Sequence, residues 1–273
     1  MKLFDAHCHL QDPRVLNKAP ELIENALEAG VVRFAVNGIY EEDWHLVKEM
    51  GETYPSVIPC FGLHPWYVAE RSPNWFETLK EYFDATPSAA VGEIGVHKGS
   101  QPQGIQADIS EQIKVLGQQL ELAKELNKPA TVHCVAAFDE LVELMRSMGP
   151  FPAGVILHSY MGSAELVPEL SELGSYFSFS GHNMSQNANA FKRVLNAVPS
   201  DRILLETDSP DALPKSLLPN ETFNQPANLH YVLDYVASLL EVTKEELAEL
   251  TYHNAVRLFS YKGSKVRPKK YRK

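Results

Sequence analysis

No stretch of the 273 residues has the uninterrupted apolar length of a membrane span, and no long apolar segment precedes the first motif. Neither a membrane protein nor a secretory leader is therefore expected. Cysteine is scarce: Cys8, Cys60 and Cys134 are scattered without Cys-x-x-Cys spacing. That argues against a disulfide framework, and the three read as small core residues of a protein in a reducing compartment. There is no G-x-G-x-x-G after the first apolar run and no P-loop, which removes the usual support for a nucleotide-binding open sheet. Gly/Ser linkers, low-complexity runs and internal repeats are also missing ahead of the C-terminal tail, so nothing there marks a domain boundary.

Positive charge is short in the body of the chain. Of 25 Lys and Arg, seven fall between Lys262 and Lys273, leaving 18 basic against 35 acidic residues in the other 261 and a charge of −17 there. Such a body is a poor general surface for nucleic-acid backbones, so any phosphate contact has to be local. The organisation expected is a single domain over 1–262 and a basic, disordered tail over 263–273. The tail reads as a solubilising segment before it reads as a nuclear-import or nucleic-acid arm. The expected location is the cytoplasm, with the nucleus left open by the tail. Oligomeric state is not legible.

What is present is an alternation of short apolar runs and longer amphipathic ones. KLFDAH, VVRFAVN, VIPCFG, AAVGEI, ATVHC, GVILHS, YFSFSG and RILLETD make eight strand candidates. Helical patterns such as APELIENALEAG, QIKVLGQQLELAKELN and FDELVELMRSMG lie between them; the first stops at Gly30 and the third at Gly149. NLHYVLDYVASLLEV and TKEELAELTYHNAVRLF follow the last strand, and Thr243 with Glu246 forms a capping-box pattern. Eight strands joined through helices predict parallel pairing by right-handed crossovers. At this length the architecture is an α/β fold, a (β/α)8 TIM-type barrel with extra C-terminal helices; an open doubly wound sheet is the runner-up.

The polar residues fall at the C-terminal ends of those strands. The first ends in FDAHCHL with His7 and His9, which are two apart and so face one side of an extended segment. His64 follows the third, Glu93 sits in the fourth, His133 and His158 end the fifth and sixth, and Glu206 and Asp208 follow the eighth. In a barrel these ends share the face that carries catalysis. Singly, each has a plain reading as a turn residue or a hydrogen-bonded core group; jointly they form a metal-type donor set. Four histidines and two carboxylates exceed one tetrahedral zinc and suit two divalent ions about 3.5–4 Å apart. The assignment expected is His7, His9, Glu93 and Asp208 around one ion, and Glu93, His133 and His158 around the other, with Glu93 bridging. Asp208 is suited to orient an attacking water or take its proton, and His64 to contact a substrate oxygen. Glu206 is a supporting carboxylate. His45, His97, His182, His230 and His253 lie in helical or loop patterns and read as surface or structural residues.

FDAHCHL, GLHP, VGEIG, NKPATVHC, LHSYMG, FSFSG, LLETDSP, NQPANL and TYHNAVRLF, in this order and over nearly the whole chain, resemble the TatD-type metal-dependent DNase family of the amidohydrolase-like barrels. The resemblance implies a metal-dependent phosphodiesterase acting on DNA, often as an exonuclease, with Mg2+ or Mn2+ as the usual ions and Zn2+ also accommodated. It implies His7, His9, Glu93, His133, His158 and Asp208 as ligands and His64 as a further site histidine. Single strands or frayed ends suit the acidic body better than a long duplex. Two departures stand out. Val96-His97 replaces the family's common Leu-Asp after GEIG, and Val135-Ala136 replaces its common Arg-Asp, which removes a natural bidentate phosphate clamp. Lys98 or His97 is then left to contact the substrate. Two other readings remain open: hydrolysis of a C–N or C–O bond, such as aminoacyl-tRNA deacylation, and a metal-binding scaffold without turnover.

Overall fold

The computed structural model describes residues 1–102 and 104–260, so the expected tail at 263–273 and the domain limit at 262 lie outside the described residues. Eight parallel strands run in sheet order β1 to β8: β1 Leu3–Cys8, β2 Val31–Asn37, β3 Val57–Phe61, β4 Ala90–His97, β5 Ala130–Val135, β6 Val155–Leu157, β7 Ser175–Phe179 and β8 Ile203–Leu205. Helices α1 Ala19–Glu28, α2 Trp44–Thr53, α3 Trp75–Ala85, α4 Ile109–Glu125, α5 Phe138–Met148, α6 Val167–Glu172, and the pair α7 Gly181–Met184 and α8 Ala188–Ala197, form the crossovers; α9 Leu229–Leu240 and α10 Lys244–Ser260 follow β8. This is the expected barrel. Its strands are short and almost wholly buried, as strands covered on both faces must be, and β1 and β4 are buried at every position.

The seam between β1 and β8 closes by polar contacts at its C-terminal end. His9 N–H donates to Ser209 O at 2.8 Å and Asp208 N–H to His7 O at 2.9 Å. The buried Asp5 carboxylate also accepts Thr207 N–H at 2.9 Å. Two candidate ligands are thereby locked together by main chain. At the other end, α10 lays Ala255, Leu258 and Phe259 against Phe4, Ala6, Ile156, Tyr176 and Leu204. Asn254 Nδ2 donates to Ser200 O at 2.8 Å and Ile203 O at 2.9 Å, holding α10 to the start of β8. The Thr243–Glu246 capping box is formed, with Glu246 N–H on Thr243 Oγ1 at 3.1 Å and Thr243 N–H on Glu246 Oε2 at 2.9 Å. Cys8, Cys60 and Cys134 are free and buried, as their sequence context suggests. Among the described residues no helix is long and apolar enough to cross a membrane.

Candidate functional site

Each candidate side chain is set by its strand end. β4 carries Glu93 between two glycines that bring it close to its neighbours. A Cβ on Gly92, at φ +150°, would lie 2.7 Å from Asn37 Oδ1, and one on Gly95, at φ +157°, would lie 2.0 Å from His133 O. Only glycine allows that approach. The Glu93 carboxylate then reaches both sides of the site. Its Oε2 lies 3.2 Å from His7 Nε2 and 3.1 Å from His9 Nε2; its Oε1 lies 2.9 Å from His158 Nε2 and 3.2 Å from His133 Nδ1. Asp208 Oδ1 faces the first pair, 3.4 Å from each Nε2.

The outer hydrogen bonds assign the tautomers of three histidines. His9 Nδ1 lies 2.8 Å from Asn37 O and must donate to it; His158 Nδ1 lies 3.0 Å from the Glu206 carboxylate and donates likewise. In the neutral ring their Nε2 atoms therefore present lone pairs inward. His64 is the reverse case. Its Nδ1 accepts Trp66 N–H at 3.1 Å, so its Nε2 carries the hydrogen and points it at Glu93 Oε1, 3.5 Å away. His64 enters the site as a donor in its neutral form, and its ring also lies within ligand-group distance of Glu93 and His133.

His9 and His158 Nε2 lie 3.0 Å from His7 Nε2 and 3.3 Å from His133 Nδ1, with carboxylate oxygens beside both pairs. Such a cluster needs positive charge between its members, and imidazole with carboxylate is a donor set for divalent transition metals. The donor atoms of His7, His9 and Asp208 lie within 4.8 Å of one another, as do those of His7, Glu93 and His158. The residues present fit metal ions.

The charges agree. Burial works against the ionised form of Glu93, but His158, His7 and His64 around it hold it well below the usual carboxylate range. Asp208 is likewise held low against burial, by hydrogen bonds from His182, His7 and His9. Burial disfavours a charge on His9 and on His158, yet the carboxylates beside them more than reverse it and hold both well above the usual histidine value. His64 goes the other way, pushed by burial down to about 4. The site draws protons where a metal ion would sit and keeps His64 neutral.

Two histidines read from the sequence as surface or structural residues lie against candidate ligands. His97 is buried at the end of β4, with Nδ1 3.0 Å from His133 Nε2. His182, at the start of α7, lies with Nε2 3.2 Å from Asp208 Oδ2. His97 is the last residue of β4 and His182 lies in α7 just past the end of β7, so both sit at the strand ends that carry the candidate ligands. Lys98 has its Nζ paired with Glu140 on α5. Glu206 takes its supporting place, accepting from His158 and, at 2.6 Å, from Ser159 Oγ.

Sequence reasoning missed two buried glutamines on α4. Gln119 clamps Leu63, beside His64: Leu63 N–H donates to Oε1 at 2.8 Å and Nε2 donates to Leu63 O at 3.1 Å. Gln112 clamps His97 in the same way, at 2.8 and 3.2 Å. The signal was available: Gln112 and Gln119 are seven apart on the same stripe as Val115, Leu116 and Leu120, where an unpaired amide is costly.

Comparison with known proteins adds an independent line. A family model described as TatD related DNase matches residues 4–260. The metal-dependent hydrolase YabD of Bacillus subtilis is 33% identical over 259 residues, covering 94% of this chain and 98% of that protein. The 3'-5' ssDNA/RNA exonuclease TatD of Pantoea ananatis is 27% identical over 261 residues, covering 94% and 99%. Among solved structures, the TatD homologue YJJV of Escherichia coli superposes with a TM-score of 0.85 at 26% identity, covering 94% of this chain and 97% of that one.

Proposed function

The chain belongs to the TatD-related DNase family of metal-dependent hydrolases, and from that premise we propose that it shortens DNA from an end by phosphodiester hydrolysis at a two-metal centre. The observation that carries this is the placement of Glu93, one carboxylate oxygen toward His7 and His9 and the other toward His133 and His158. A carboxylate with one oxygen toward each histidine pair would suit two ions held on either side of it. We assign His7, His9, Glu93 and Asp208 to one ion, and Glu93, His133 and His158 to the other, with Mg2+ or Mn2+ as the working metals.

Ions held there supply the charge that makes a water nucleophilic near neutral pH and offsets charge building on the phosphodiester. The protein's own groups do the rest. Asp208, kept ionised by His182, His7 and His9, accepts the proton that the attacking water gives up. His64, neutral and with its Nε2–H fixed by Trp66 N–H, donates to an oxygen of the scissile group. The acidic body offers no long cationic track, so a single strand or a frayed end entering the pocket is the substrate form proposed.

One observation favours a second reading, hydrolysis of a carbonyl ester or amide such as an aminoacyl-tRNA linkage. Where the family commonly carries a phosphate-clamping Arg, this chain has the exposed Val135, and Lys98 is engaged by Glu140.

The test is a cleavage assay on chelator-stripped protein resupplied with Mg2+, Mn2+ or Zn2+ singly, using single-stranded DNA labelled at either end. Metal-dependent shortening from one end supports the nuclease and gives its polarity. No cleavage by protein shown to hold two ions transfers the assignment to carbonyl substrates.

A further inference from the structure

β4 continues past Glu93 to a histidine that the catalytic reading does not use. His97 is 8% exposed. Its main chain is held at both polar atoms by the Gln112 side chain, and the Trp66 ring packs edge-on against it with centroids 5.7 Å apart. Its two ring nitrogens have different partners. Nε2 lies 3.3 Å from Ser100 O, and Nδ1 lies 3.0 Å from His133 Nε2.

A carbonyl oxygen can only accept, so the neutral His97 ring carries its hydrogen on Nε2 and offers a lone pair at Nδ1. His133 Nε2 must then be the donor. That places the single hydrogen of His133 on the side away from Glu93 and leaves a lone pair at Nδ1, the atom 3.2 Å from Glu93 Oε1 and 3.3 Å from His158 Nε2. We propose that His97 is a positioning residue, which through the relay Ser100 O, His97, His133 fixes the tautomer of His133 and keeps its Nδ1 free for the ion shared with His158 and Glu93.

The proposal rests on the reading of this cluster as a metal centre and concerns one half of it. His9 and His158 are oriented by fixed acceptors, Asn37 O and Glu206. His133 alone of the three is oriented by a group that could itself be either donor or acceptor, so its tautomer depends on a carbonyl one ring further out. The Gln112 clamp supplies the rigidity such a relay needs, because a small turn of the His97 ring would break both bonds.

Two measurements test it on the full chain. In metal-free protein carrying 15N-labelled histidine, ring nitrogen spectra should show His133 protonated at Nε2, and His97→Leu should lose that preference. In calorimetric titration of stripped protein with Mn2+, His97→Leu should weaken one of two binding events by about 10- to 100-fold and spare the other. His97→Asn keeps an acceptor near the position of Nδ1 and should restore most of that affinity, although it fills the space less well than Leu. Affinity kept by His97→Leu but lost by His97→Asn would mean that His97 acts by packing alone and would overturn the proposal, as would a His133 found protonated at Nδ1. Wild-type protein that binds no ion would sink the metal-centre reading itself, a result separable from two ions bound equally by wild type and His97→Leu, which defeats only the relay.

Discussion

Glu93→Gln keeps the size of the side chain and removes its charge, at the point where the two halves of the proposed centre meet. The carboxylate offers Oε2 at 3.1–3.2 Å to His9 and His7, and Oε1 at 2.9 and 3.2 Å to His158 and His133. An amide has one acceptor oxygen. Whichever way it turns, its NH2 group faces one of the two histidine pairs, so one ion loses its anionic ligand and meets two N–H dipoles instead. Leaving a buried charge without its partner costs about 3–5 kcal/mol. That is roughly two to four powers of ten in affinity for the ion concerned. The other ion keeps an oxygen and should weaken less. Calorimetry of chelator-stripped protein should accordingly show two binding events in wild type and one in the variant. Single-turnover cleavage of end-labelled DNA, at a metal concentration that just saturates wild type, should fall by about a hundredfold or more, in proportion to the lost occupancy. Circular dichroism checks that the variant is folded. Two ions bound with wild-type affinity, together with an unchanged single-turnover rate, would refute the bridging geometry.

His64→Ala should retain both ions but lower turnover by about 10²- to 10⁴-fold, because His64 presents Nε2–H and not a lone pair; loss of an ion instead would make it a ligand. Metal-free protein should lose thermal stability as pH rises above the ordinary histidine range. Carboxylates hold His9 and His158 well above the usual histidine value, and stability from a raised histidine pKa is full below the unfolded value and lost as pH climbs through the folded one. His64 and His133 are shifted downward and act below that window. Metal-loaded protein should not decline in this way, since the ions replace the protons, and a flat or rising Tm in the chelated sample contradicts the charge assignment. Asn254→Ala removes two hydrogen bonds between α10 and the start of β8, about 2 kcal/mol, and should lower Tm by about 4–8 °C without changing metal affinity. A change in metal stoichiometry there would show that α10 supports the site as well as the far end of the barrel.

The candidate ligands were legible because two local rules coincide at them. Parallel strands of a barrel bring their C-terminal ends to one face, and the side-chain alternation of an extended segment puts His7 and His9 on one side. His133, His158, Glu93 and Asp208 then follow from chemistry alone, since apolar runs that end repeatedly in imidazole and carboxylate need a common cation. The cysteines next to His7, His9 and His133 could be set aside on the same alternation. The helix stops and the Thr243–Glu246 cap were equally local.

His97, His182, Gln112 and Gln119 were not legible in this way, because their roles depend on partners distant in sequence. Gln119 acts on Leu63, 56 residues away, and His97 on His133, 36 residues away. A polar side chain on a helix stripe says that it must be satisfied, not by whom. The direction of His64 was also hidden: GLHP shows a histidine at a strand end, but only Trp66 N–H on Nδ1 makes it a donor into the site. The sequence by itself determined the alternation of strands and helices and which residues can bind metal, because periodicity and donor chemistry are properties of short segments. Tertiary structure decided which nitrogen of each ring faces inward, because a tautomer is set by the hydrogen bond on the far side of the ring, and that partner arrives only when the barrel closes.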